Sequence, residues 1–83
     1  MTFTLDGTPL IPDYDEDADI LYLWVEGPCP AVTYETKHGH LVQLDPETRE
    51  FVGVAVVDYS ARWEGQEIPL EIPVVEERVL TLA

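Results

Sequence analysis

Asp13, Asp15, Asp17 and Asp19 recur at every second position. Hard divalent cations want several carboxylate oxygens, so a calcium-type or magnesium-type site is the first chemistry to weigh. The loop pattern fails: Ala18 stands where a calcium-binding loop needs glycine, and Trp24 stands where it needs the bidentate glutamate. His38 and His40 flank Gly39 and supply at most half of a zinc site, and no other histidine or cysteine is placed by the sequence to complete it. Asp15, Asp17, Asp19, His38 and His40 are therefore the metal-ligand candidates. The structural reading is preferred for both clusters, as a solvated acidic turn and a polar hairpin tip.

Cys29 sits between Pro28 and Pro30 in a strongly anionic chain, surroundings that favour the neutral thiol over the nucleophilic thiolate. Ser60 has no predictable His and Asp relay, and its position after an apolar run suits a helix cap equally well. Asp15 and Asp19 could serve as an acid and base pair only inside a cleft. The glycines are scattered singly, so no phosphate-cradling loop is present. These residues assign no catalytic group and no cofactor.

Charge narrows the partners. Seventeen Asp and Glu against four Lys and Arg give a formal net charge of -13. Nucleic acids and anionic membranes attract the opposite sign, so direct binding to either is disfavoured, whereas a basic protein would be steered in. The start of the chain has neither a basic region nor a long apolar segment, and the expected location is cytoplasmic. A single cysteine agrees with a reducing compartment.

The elements that must position these residues read as short strands in a single domain spanning 1–83. Phe3 to Leu5, Asp6-Gly7 and Pro9 to Tyr14 form a hairpin pattern. Pro9 and Pro12 withhold amide protons, so that strand is expected at an edge. Ile20 to Val25 is apolar on both alternating faces, the pattern of a central strand covered on both sides by a helix, a second layer or a partner subunit. Ala31 to Thr36 and Leu41 to Leu44 flank a hairpin tip at Lys37 to His40, and Asp45-Pro46-Glu47-Thr48 reads as a turn.

Phe51 to Val57 is the second apolar strand, with Gly53 and Ala55 on a face shared with Phe51 and Val57. Small residues there predict close packing by Tyr22 or Trp24. Asp58 or Ser60 is expected to cap a short helical turn through Trp63. Glu67 to Pro73 reads as an extended edge. Pro73 onward, with Glu76 and Glu77 near its start and Val75, Val79 and Leu82 on one face, reads as a last helix, with a strand as the alternative. The fold class is thus mainly β (α+β): a small antiparallel β-meander with a short helical turn after the last core strand, then a proline-containing C-terminal segment over 66–83.

Tyr14-Asp15 with Ala18-Asp19, then Leu21-Tyr22-Leu23, a hairpin, Leu44-Asp45, and Val52-Gly53-Val54 with Val57-Asp58 form a spaced pattern. It resembles the small bacterial family catalogued as domain of unknown function 2283, over roughly Asp13 to Trp63. The resemblance implies a compact β-meander ending in a short helix and no established activity. It also implies an antitoxin-like role, since some relatives look as if they are encoded beside small toxin-like proteins.

A chain of 83 residues buries about two thirds or less of its unfolded surface, so self-association is a natural source of stability. The expected function is a non-catalytic interaction module, as a homo-oligomer (a dimer). The alternatives are an antitoxin-like neutraliser of a small basic protein, and divalent-metal or small-ligand binding through the acidic turn.

Overall fold

The computed structural model describes residues 3–5, 7–70 and 78–82. Its strands are β1 (Phe3–Leu5), β2 (Thr8–Asp15), β3 (Ile20–Trp24), β4 (Val32–Glu35), β5 (Leu41–Leu44), β6 (Phe51–Val57), β7 (Ile68–Leu70) and β8 (Arg78–Leu82). Every described pairing is antiparallel, in the order β4-β5-β6-β3-β2-β1-β8-β7. The fold is mainly β, as expected. A single helical turn, Tyr59–Trp63, follows β6 and is π-helical, with Glu64 N donating to Tyr59 O at 2.9 Å.

The first hairpin forms where the turn residues predict it. Leu5 pairs with Thr8, and Gly7 takes φ +81°, a backbone angle that costs glycine nothing; Asp6 lies outside the described residues. The edge position expected for Pro9 and Pro12 is corrected, because β2 lies inside the strand order. It changes partner along its length, pairing with β1 over Thr8 to Leu10 and with β3 over Ile11 to Asp15. Each half has one unpaired side, so each proline sits on a local edge without breaking a two-sided ladder.

That change of partner lets the sheet fold over. Phe3, Leu5 and Ile68 from the β1 side join Leu21, Leu23, Val42, Leu44, Val54 and Val56 in one buried cluster. Leu21 and Leu23 are completely buried, whereas Ile20, Tyr22 and Trp24 on the other face of β3 are half-buried. The two-sided cover expected for β3 is therefore complete on one face only.

The tail strands account for the difference. The helix expected from Pro73 is replaced over Arg78–Leu82 by strand β8, which pairs with both β1 and β7; residues 73–77 lie outside the described residues. Arg78 to Leu80 pair with β7 and Leu80 to Leu82 pair with β1, so each residue of the segment gains a ladder partner that a frayed terminal helix would not supply. The extended reading of the segment before it holds for Ile68–Leu70, the last strand in the order. Both strands lengthen the β1 edge, and so add to the layer that closes the inner face of β3.

An irregularity between Gln43 and Leu44 shifts the β5–β6 register, so that Gln43 faces Gly53 and Leu44 faces Phe51. Phe51 consequently packs against the buried cluster and does not share the outer face with Gly53, as strict alternation predicts. One extra residue reverses the parity of a strand.

Candidate functional site

The acidic turn is built around Asp19. Its Oδ1 accepts hydrogen bonds from the Tyr14 hydroxyl at 2.6 Å and the Ser60 amide at 2.9 Å, and its Oδ2 accepts from the Ala61 amide at 3.4 Å. Tyr59 N donates to the Asp19 carbonyl at 3.0 Å. Asp19 thus caps the π-helical turn from 41 residues away in sequence, and the expected cap by Asp58 or Ser60 is corrected. Asp58 has φ 56° and ψ 44° and makes no side-chain cap bond, because capping requires an extended backbone at that position. Ser60 lies inside the turn and contributes a capped amide.

These donors hold the Asp19 carboxyl below its usual range, the Tyr14 bond foremost and the Ser60 amide next. The same bond holds the Tyr14 hydroxyl above its usual range. Asp15 folds back on its own turn, its Oδ1 accepting from Asp17 N at 3.1 Å and Ala18 N at 3.3 Å. Asp13 and Asp15 project from the face of β2 that carries Ile11, where Asp13 stands opposite Tyr22 and Asp15 opposite Ile20. The four aspartates do not converge, and no group of three or more metal-ligating side chains occurs among the described residues.

The histidines part company. The hairpin tip closes as expected, with Thr36 N donating to His40 O at 2.8 Å and Gly39 N to Thr36 O at 3.0 Å. His40 itself is wholly buried rather than polar surface, which corrects the tip reading for this residue. Its ring packs on Trp63 at 4.8 Å between centroids, and the His38 ring stands 6.3 Å from it. Among the described residues, neither ring nitrogen of His40, nor the Trp63 indole nitrogen, has a hydrogen-bond partner. Burial, then His38 and Arg62, lower its pKa to about 4, so His40 is neutral near pH 7. Arg62 lies over the Trp63 ring at 5.6 Å, a cation where a metal ion would need an anion.

Cys29 is exposed on the rim of a 270 Å³ recess lined by Val25, Glu26, Gly27, Pro28 and Val52. The recess brings Glu26 near the thiol and no histidine. Asp45, the first residue of its turn, accepts from Glu47 N at 2.8 Å and Thr48 N at 3.0 Å. The Thr48 amide, then that of Glu47, keep its carboxyl below the usual range.

The remaining surface of interest is the outer face of the sheet. Tyr22 and Trp24 stack with their rings 5° from parallel and 6.3 Å apart. Trp24 lies over Gly53, where a built Cβ would come within 2.6 Å of Trp24 Cε3; this is the aromatic-over-glycine packing that the small residues of β6 predict. Ile11, opposite Trp24 on β2, is 50% exposed. Cross-strand pairing aligns Asp13, Tyr22, Ala55, Leu41 and Glu35 in one row across β2, β3, β6, β5 and β4. Neither its length nor its acidic ends are visible until the register is known.

No helix among the described residues is long and apolar enough to cross a membrane. No family model, curated protein or solved structure matches the chain.

Proposed function

We propose that this protein is a non-catalytic interaction module that works by burying the outer face of β2 and β3 against another protein chain. One observation carries this reading: the Tyr22–Trp24 stack is only partly buried, beside the exposed Ile11, on a strand whose opposite face is completely buried. Large aromatic side chains on a rigid sheet bury area at little entropic cost, which is what anchors an interface. The kinship with domain of unknown function 2283 belongs to the same proposal. Tyr14 and Asp19, two of the residues that carry the resemblance, have a structural part in holding the turn after β6.

Position-specific photocrosslinking tests the reading. A photoreactive benzoylphenylalanine at position 11 is expected to form adducts with a protein chain, in purified solution or in native extract. The same group at position 47, on an exposed turn, is expected to form none of them. Identical adduct patterns at the two positions, or none at either, would remove this surface as the working face.

Self-association into a dimer is a second reading, favoured by the apolar centre formed by Tyr22, Trp24 and Leu41. It would appear at position 11 as a crosslinked dimer.

A further inference from the structure

Five strands carry one row of side chains on the outer face: Asp13, Tyr22, Ala55, Leu41 and Glu35, in that spatial order. Directly opposed residues of antiparallel strands lie on the same face, so the row is continuous. Both ends are carboxylates and everything between them is aromatic or aliphatic. Adjacent strands are about 4.8 Å apart, which sets the two acidic ends about 19 Å from each other. The next row, Ile11, Trp24, Gly53, Gln43 and Thr33, carries no charge, and Thr33 and Gln43 engage each other at 2.9 Å.

We infer that this face binds a basic segment of a partner protein, laid across the strands with a cationic residue at each end and apolar residues between. The inference rests on the interaction-module reading and names the partner for that surface. Two copies of this chain would set carboxylates against an acidic rim, and each brings a net charge of -13; a cationic segment relieves that repulsion and neutralises both ends of the row. An Arg or Lys near Asp13 also reaches the Tyr22 ring, where a cation over an aromatic face gains further attraction. An extended segment spans about 19 Å in roughly six residues, so the cationic residues would be five to seven positions apart.

The probe is a synthetic heptapeptide with arginine at both ends and alternating valine and threonine between, titrated into the full chain by calorimetry. Its counterpart with glutamate at both ends serves as the control peptide. The arginine peptide is expected to bind and the glutamate peptide not to. Asp13→Asn and Glu35→Gln should each weaken binding roughly threefold to fivefold, in line with single partly exposed ion pairs. Tyr22→Leu should weaken it further without changing the charge, and added salt should weaken it throughout. Glu47→Gln removes one charge on the turn between β5 and β6, outside the row, and should leave affinity within twofold. Equal loss from Glu47→Gln and Asp13→Asn would show attraction to net charge alone and overturn the inference, as would no binding by the arginine peptide. Position-11 adducts without peptide binding would overturn the basic partner and leave the interaction surface standing. A dimer adduct that strengthens with salt would identify a second copy as the occupant instead.

Discussion

Gly53 is the residue on which the outer face turns. A methyl group there would meet not only Trp24 Cε3 at 2.6 Å but also the Leu23 carbonyl oxygen at 2.9 Å, and a backbone atom cannot rotate away. Gly53→Ala is therefore expected to destabilise the fold by about 1–3 kcal/mol, read as a lower denaturation midpoint in urea; an unchanged midpoint would show that Trp24 does not rest on the strand. His40 makes the opposite case, since its buried nitrogens have no partners among the described residues. Its pKa in the folded chain is about 4, against 6.5 for the free side chain, so the unfolded chain binds the extra proton between those values. Stability is then full above pH 6.5 and falls as the pH drops towards about 4, by on the order of 3 kcal/mol. His40→Leu should abolish that part of the acid loss and leave stability at pH 7 equal or higher, because deleting both unpaired nitrogens removes a desolvation cost. Denaturation midpoints of the two proteins at pH 7 and pH 4.5 check this.

Among the elements, the turn between β2 and β3 matters most, because it holds the chain that leaves β6. The π-helical turn contributes no cap of its own, and the Asp19 carboxylate supplies one together with the Tyr14 bond. Asp19→Asn keeps the size and loses the charge, so it should lower the thermal midpoint clearly more than Asp17→Asn, which contributes only its backbone amide to the turn. Since the Asp19 pKa is lowered in the folded state, its contribution is present above the unfolded carboxylate value and is lost as the pH falls through the folded one. Equal midpoints for the two variants would reduce Asp19 to one more solvated carboxylate. Strand β2 is the second element that matters: by changing partner at Ile11 it accommodates two prolines and turns one sheet into two facing layers.

At the scale of the whole molecule, charge and shape act on the same surface. A chain with net charge -13 repels its own copies, and screening lessens that repulsion, so self-association through the apolar centre must strengthen with added salt. Capture of a basic segment must weaken. The sign of the salt dependence thus separates the two occupants of one face without requiring either to be named. The buried cluster draws from both layers and from the π-helical turn through Tyr59, so changes on the outer face can be made without removing core volume.

Much of this architecture follows from local chemistry. Alternating apolar residues and turn formers at Gly7, Gly39 and Asp45 set the strands and hairpins, because backbone preference and side-chain period act over a few residues. The small residue at Gly53 even foretold its aromatic cover. Other features depend on registers between distant segments: Asp19 as the cap of a turn 41 residues away, the burial of His40 under Trp63, and the parity reversal at Phe51. The acidic ends of the outer row also emerge only when β2 and β4 are placed on opposite sides of β3, β6 and β5. Spacing along the chain determines what each strand can present, and only strand pairing in three dimensions decides which residues stand side by side.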